Sequence, residues 1–451
     1  MKIIIVGGGT VGAAICTQLS AEGHDITVIE TEPSAVNEIA NVCDVIGLVG
    51  NGADISVLRK ADAERADLLI AVTPGDELNI LCCAASRKLG VRHTIARVRN
   101  PEYSELLLLM KQEMNLSMTV NPELNAAKEI YRMLRYPSAA KIETFYRGRV
   151  ELVEFVVNPG SPICDKSLYD LRSALKAKFL VCCVLRGDEV FIPSGDFILR
   201  ADDIIGLTAP DEEMTRLFKA LGSFRQPVRD VLIVGGGRIT YYLELLLQRG
   251  KIRSTVIEKD KERCYELTDQ FDSTVVCEDA NKQEILLEEG IEKADAFLAL
   301  SDSDERNAIL SMYAKSKAVP KVIALIHQLS YVDFFKGMDL ESVVSPKSIA
   351  AADILRYVRA MSNDASAEIE SLHKIMGGHA EALEFVIKQE IEGITDIPLK
   401  ELRPKRGVLI ACLIHNHKII IPSGEDSIGR GDTIIVITAD RQLKNVRDII
   451  R

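Results

Sequence analysis

The chain has 451 residues, of which 47% are hydrophobic and 27% charged, and its formal net charge is -11. That length predicts two to four globular domains. The acidic balance excludes a nucleic-acid partner and a purely electrostatic grip on anionic lipid, because phosphate binding needs clustered basic surface and the stretch from Arg132 to Arg149 is only sparsely basic.

The N-terminal run "KIIIV" predicts a buried strand leading into a glycine turn, Gly7-Gly8-Gly9-Thr10-Val11-Gly12, and a helix that opens with Ala13 and Ala14. The glycines and the lack of a small-residue cleavage site make this a first strand and not a signal peptide. Gly7 permits the tight turn, Gly9 lets backbone approach a pyrophosphate, and Gly12 lets helix and strand pack closely. The next strand, "DITVIE", ends on Glu30, which can accept both ribose hydroxyls and favours NAD(H) or another adenosine diphosphate over a 2'-phosphorylated cofactor. Further along, Asn51-Gly52 can edge the adenine, Thr73 follows the fourth strand at its carboxyl edge, and Arg97 ends the fifth, where it can neutralise phosphate. Each of these residues reads equally as a cap, a turn or a surface charge. The densest apolar run, "LLLLM" at 106–110, falls far short of the roughly 18 to 20 residues of a spanning helix.

A helix follows with Ala126, Ala127, Ile130, Tyr131 and Leu134 on one face. The stripe fits packing on its own domain and pairing with a second such domain equally well. Alternating strands around "IPSG" and an acidic turn then predict a small α+β module.

The chain next repeats itself. "VLIVGGGRIT" restates "IIIVGGGTVG" at an offset of 228 residues, and the same offset links Glu258 to Glu30 and "ADAFLALSDSDERN" to "ADLLIAVTPGDELN". The second copy keeps Gly235, Gly236, Gly237 and Glu258, places Ser301 at the Thr73 position, and has Ile239 at the Val11 position. It departs at Thr240 for Gly12, Arg238 for Thr10, and Leu325 and His327 for Arg97 and Arg99. A branched Thr240 predicts that its helix is pushed outward or tilted, while Arg238 supplies charge beside an anion site. A weaker or different nucleotide site and an empty structural copy both remain open for it. A matching helical stripe (Ala350, Ala351, Ile354, Leu355, Val358) and a second "IPSG" module complete the chain.

The fold class is therefore α/β: tandem Rossmann-like, doubly wound parallel-sheet domains, each followed by a small α+β module. The expected modules are 1–137, 138–224, 225–366 and 367–451. The ten cysteines are dispersed without a C-x-x-C pair, which predicts reduced core cysteines and no metal site. His415 and His417 share a face of an expected strand, and an exposed hairpin end is preferred to a metal site there.

Strand-turn-helix with a terminal Glu, "AVTPGDELN", "IARVRNPEY" and the "IPSG" module, all in tandem, resemble the TrkA family of Trk potassium-uptake regulatory subunits, built from regulator-of-potassium-conductance (RCK) domains. The resemblance covers essentially the whole chain. It implies paired RCK N- and C-lobes, and assembly into a ring of four N-lobe pairs beneath an integral-membrane potassium-translocating subunit of TrkH/TrkG type. It also implies a cytoplasmic, peripheral location and gating by NAD(H) or ATP/ADP without catalysis. By motif match, Gly7 to Val11, Glu30, Asn51, Thr73 and Arg97 would line the first site, and Gly235 to Ile239, Glu258 and Ser301 the second. Two alternatives remain: an NAD-dependent oxidoreductase, for which no convergent acid/base set is visible in the small modules, and a nucleotide-responsive regulator of another cation transporter.

Overall fold

The computed structural model describes residues 1–103, 116–136, 141–146, 149–175, 178–210, 213–214, 216–217, 228–328, 330–331, 334–335, 342–362, 369–439, 443 and 445–450. The expected module boundaries near 138, 224 and 366, and the apolar run 106–110, lie outside the described residues. The chain divides into two compact units, one of Met1–Arg135 with Val228–Leu355, the other of Tyr136–Pro227 with Arg356–Arg451.

In the first unit each copy builds a six-stranded parallel sheet. The first contains β1 (Lys2–Val6), β2 (Asp25–Glu30), β3 (Ile46–Val49), β4 (Leu68–Ala71), β5 (His93–Arg97) and β6 (Met118–Val120), in the order β3-β2-β1-β4-β5-β6. Continuous apolar runs suit strands covered on both faces, and Ile3, Ile4, Ile5, Leu68, Leu69 and Ile70 are all buried. Helices α1 (Thr10–Ala21), α2 (Pro33–Val42), α3 (Ile55–Lys60) and α4 (Asp76–Leu89) connect the strands, and α5 (Pro122–Arg135) follows the last. The order reverses between β1 and β4, and ligands of such sheets bind in the crevice at that switch.

The second unit holds two five-stranded antiparallel sheets. One orders as β10-β9-β11-β8-β7, from β7 (Lys141–Phe145), β8 (Val150–Val156), β9 (Leu180–Arg186), β10 (Glu189–Phe191) and β11 (Ile204–Thr208), with helix α6 (Leu168–Leu175) between β8 and β9.

The second copy in the first unit repeats the first in the same order, β14-β13-β12-β15-β16-β17. Its strands are β12 (Asp230–Val234), β13 (Arg253–Glu258), β14 (Thr274–Cys277), β15 (Ala296–Ala299), β16 (Lys321–Leu325) and β17 (Val343–Val344). Its helices are α7 (Arg238–Gly250), α8 (Lys261–Gln270), α9 (Gln283–Glu288), α10 (Asp304–Ser316) and α11 (Pro346–Ser362).

The ambiguous helical stripe resolves as pairing. Ala126, Ala127, Ile130 and Leu134 of α5 are buried in one cluster with Ile239, Leu243 and Leu247 of α7 and with Val231 and Ile233 of β12, so the helix of one copy completes the core of the other. This contact also accounts for the two tyrosines after the second glycine turn. The Tyr242 hydroxyl accepts a hydrogen bond from Asn121 Nδ2 at 2.9 Å and donates to the Arg99 carbonyl at 3.0 Å, while Tyr241 packs edge-on to Phe271.

The remaining sheet of the second unit, β18 (Ile369–Ile375), β19 (Ala380–Val386), β20 (Val408–His415), β21 (Lys418–Ile420) and β22 (Thr433–Thr438), runs in the order β18-β19-β22-β20-β21. The two modules share a core in which Phe145, Leu152 and Cys183 meet Met376, Ala382 and Ile437. Their joint is reciprocal. Met376 N–H donates to Glu154 Oε1 at 2.9 Å, and Tyr146 N–H, its counterpart in the other module, donates to Glu384 Oε2 at 3.2 Å. Both donor residues sit at positive φ, 52° and 47°, so each buried carboxylate holds a left-handed turn of the opposite module.

The paired histidines lie at a hairpin end, as preferred, but they do not share a strand face. β20 ends at His415, and Asn416 and His417 have φ of 48° and 63°, so His417 lies in the turn and not on the strand. His415 Nδ1 pairs with Asp432 Oδ1 at 2.7 Å and His417 Nδ1 with the Tyr146 hydroxyl at 2.6 Å. Among the described residues no group of three or more His, Cys, Asp or Glu side chains is arranged to hold a metal, and no helix is long and apolar enough to cross a membrane.

Candidate functional site

The first glycine turn bends where Gly7 takes φ 107°, a region that a side chain rarely enters. A Cβ on Gly12 would lie 1.9 Å from the Gly7 carbonyl oxygen, whereas a Cβ on Gly9 would meet nothing within 4 Å. Gly12 is therefore required by the packing of α1 on the turn, whereas the backbone at Gly9 faces open space before the helix N-terminus. Helix N-termini with open backbone before them can take a phosphate on free N–H groups, and Thr10 and Val11 are the first helical residues here.

Glu30 closes the other side of the turn. Its Oε2 accepts from Gly8 N at 2.6 Å, and its Oε1 accepts from Thr31 N at 2.6 Å, Thr31 Oγ1 at 2.8 Å and Glu32 N at 3.2 Å. Burial pushes its pKa up, but the donors from Gly8, Thr31 and Glu32 outweigh burial and hold the carboxyl below its ordinary value of 4.5. Because the folded pKa is depressed, the carboxylate's contribution is complete above the ordinary value and is lost as pH falls through the lower one. A dinucleotide site at Glu30 would show an NADH affinity that is flat from neutral pH to about 5 and falls only in more acid solution. Glu30→Ala should remove the affinity at every pH.

The structure separates the remaining first-copy candidates by role. Asn51 Oδ1 accepts from Ala53 N at 2.9 Å, forming a local turn, and a Cβ on Gly52 would strike Val6 Cγ1 at 2.2 Å. Thr73 donates its hydroxyl to Asn79 Oδ1 at 2.7 Å, and the Asn79 amide donates to the carbonyls of Thr73 and Arg97 at 3.0 and 2.9 Å. Arg97 Nη2 donates to the Thr73 carbonyl at 2.6 Å, and burial, followed by the charge of Arg99, lowers its pKa. Thr73 and Arg97 thus brace the carboxyl ends of β4 and β5, and Asn51 and Gly52 shape the turn after β3.

The second copy reproduces this frame. Gly235 has φ 107°, and a Cβ on Gly237 would meet nothing within 4 Å. Glu258 accepts from Gly236 N at 2.5 Å and Asp260 N at 2.8 Å, and Ser301 donates to Asn307 Oδ1 at 2.6 Å. Thr240, expected to push the helix away, is fully buried and donates its hydroxyl to the Gly235 carbonyl at 2.5 Å. α7 starts at Arg238, the position equivalent to Thr10 in the first copy.

A cleft of about 810 Å³ opens over this second turn, lined by Gly235, Gly236, Gly237, Arg238, Ile239, Glu258, Ser301 and the basic Lys259, Arg263 and Arg306. Its far wall comes from the first copy: Asn100, Pro101, Glu102 and Glu123. Glu123 Oε2 is buried and has no hydrogen-bond partner among the described residues. Burial raises the pKa of the Glu123 carboxyl, against the lowering effects of its own N–H and of Arg99, Arg97 and Arg238.

One repeated device escapes the motifs. Asp76 Oδ2 accepts from Arg99 N and Asn100 N, both at 2.8 Å, and Asp304 accepts from His327 N at 2.7 Å and Gln328 N at 2.9 Å. Each aspartate begins the helix after the fourth strand and pins the loop after the fifth. The signal is present in "GDELN" and "SDERN", which keep the acid at one offset.

The architecture defines a tandem dinucleotide-fold protein with two glycine-turn sites and two small antiparallel modules. Models of the TrkA-N domain match residues 3–122 and 231–346, and that of the TrkA-C domain matches residues 152–222. The Trk system potassium uptake protein TrkA homolog of Archaeoglobus fulgidus is 31% identical over 453 residues, covering 100% of both chains. TrkA of Halomonas elongata is 30% identical over 457 residues, covering 100% of this chain and 98% of its own. The chain belongs to the TrkA family. In fold it also resembles the GsuK channel (TM-score 0.64, 18% identity, 97% of this chain and 76% of that one) and the GsuK RCK domain (TM-score 0.62, 18% identity, 97% and 92%).

Proposed function

We propose that the protein is a nucleotide-sensing regulatory subunit of a Trk-type potassium-uptake channel, cytoplasmic and peripheral on the membrane through that channel, and that NAD(H) and adenine nucleotides set its conformation. The observation that carries this reading is the pair of open turns at Gly9 and Gly237, each facing an acidic strand end at Glu30 or Glu258, with the second cleft walled by the first copy. A ligand in one copy then acts on residues fixed to the other, and differential affinity for two arrangements shifts a coupled partner. The relatives' names, Trk system potassium uptake proteins, support potassium transport as the process served. A solved GsuK channel bound to NAD supports a dinucleotide as ligand of this fold. Glu30 and Glu258 would hold ribose hydroxyls, and the N–H groups at the starts of α1 and α7 would hold phosphate. A ring of copies under the channel is the assembly proposed, and four modules, 1–137, 138–224, 225–366 and 367–451, are the proposed domains.

Co-expression with the potassium-translocating membrane subunit of the same cell is expected to yield a complex in which potassium flux into proteoliposomes changes with added NADH or ATP. Flux independent of nucleotide, or steady NADH oxidation by the purified chain with an added substrate, would overturn the proposal.

A further inference from the structure

We infer that Cys264 and Cys277 are a redox pair that closes to a disulfide beside the second cleft when a hydroperoxide reaches it. Cys264 lies on α8, is 7% exposed, and its Sγ lies 3.3 Å from the Glu258 carbonyl oxygen. Cys277 ends β14 directly beside Glu258 in the strand register. Helix and strand thus bring two free thiols to one residue, Glu258, Cys264 through its side chain and Cys277 through its strand pairing. Of the ten cysteines, all of them described, Cys277 alone is exposed, so an oxidant in solvent meets it first.

The first copy has Val36 and Val49 at the equivalent places, and the burial is the same: Val36 is 6% exposed and Val49 55%. The first copy thus has two apolar residues of matching burial where the second has two thiols. A covalent link is available to the second copy at a place where the first has only packing.

The chemistry balances in two steps. The Cys277 sulfur attacks the peroxide O–O bond, giving a sulfenic acid and releasing the peroxide's other oxygen as water or an alcohol. Cys264 sulfur then attacks the Cys277 sulfur, an S–S bond forms, the S–O bond breaks, and the hydroxyl leaves as water with the Cys264 proton. Two thiols have lost two electrons in all, and the peroxide has gained them. A dithiol reductant reverses the change by exchange.

The bond would tie α8, whose Arg263 and Glu266 line the cleft, to the strand end that leads into Glu278 and Asp279 on the same wall. The effect on nucleotide rests on the function proposed above; formation of the disulfide does not. Full-length protein treated with hydrogen peroxide should yield a linked pair of peptides containing Cys264 and Cys277, lighter by two hydrogens and separated by dithiothreitol. Cys264→Val should leave Cys277 as a dimedone-reactive sulfenic acid. Calorimetry with ADP should show second-site affinity weakened by roughly fivefold in the oxidised chain and restored by reduction. The Cys264→Val/Cys277→Val chain, carrying the first copy's own residues, should bind ADP alike with and without peroxide. Oxidation of native Cys277 to sulfinic acid with Cys264 untouched, or its linkage to another cysteine, would overturn the pair. A 264–277 disulfide with unchanged ADP affinity would overturn its control of the cleft, whereas failure of the reduced chain to bind ADP or NADH would instead overturn the second nucleotide site.

Discussion

A Gly9→Val chain titrated with NADH is expected to lose first-site affinity by at least about tenfold while melting at the wild-type temperature. The two halves of this result have separate causes. Gly9 has φ -69° and ψ -173°, extended backbone that valine adopts without strain, and a Cβ there meets nothing, so folding loses no contact. The added methyl groups stand where the proposed pyrophosphate would approach the N–H groups of α1, and each charged hydrogen bond they displace is worth about 1.5–3 kcal/mol. Gly12→Ala makes the contrast: its Cβ would sit 1.9 Å from the Gly7 carbonyl oxygen, and its defect should register in the melting temperature before any ligand is added. Undiminished affinity in Gly9→Val would remove the first glycine turn from consideration as a phosphate site.

Replacing Ile130 by Asp is expected to destabilise the protein by about 4 kcal/mol or more in denaturant unfolding. Ile130 is fully buried, and what buries it belongs to the other copy: α7 and the strands of the second sheet. A carboxylate there has no partner in the apolar cluster and must either lose its hydration or pry the helices apart. The loss should reach the second sheet's tryptic sites along with the first's, because α5 closes that core. Ile55→Asp, on a residue 52% exposed, should stay within about 0.5 kcal/mol of wild type. A second copy that resists protease normally in Ile130→Asp would contradict the shared core.

The parts of the fold set by local pattern were legible in the sequence. Apolar runs, glycine turns and one offset of 228 residues give the parallel sheets, their order of elements and their duplication, since each depends on near neighbours or on self-comparison. What packs on what was not legible. A 3.6-residue period shows that Ala126, Ile130 and Leu134 share a face, but the partner of that face lies about a hundred residues away in the second copy. Thr240 reads as a steric defect until its hydroxyl is seen to meet a carbonyl. Thr73 and Arg97 sit at the right strand ends for a ligand, and within the chain Thr73 bonds to Asn79 while Arg97 bonds to the Thr73 carbonyl. The thiol pair was hidden for the same reason, because a helix end and a strand separate Cys264 from Cys277 along the chain.

The completion of one copy by the other has a consequence during synthesis. When Arg135 leaves the ribosome, the apolar face of α5 has no surface to cover it, and the strands and helix that receive it begin only at Asp230. At roughly 5–20 residues per second, that face stays bare for on the order of ten seconds. A nascent chain in this interval presents the kind of exposed apolar stripe that binds holdase chaperones or a second nascent copy. Translation speed between the two copies is therefore a determinant of yield, and a pause before residue 230 should increase the fraction lost to aggregation.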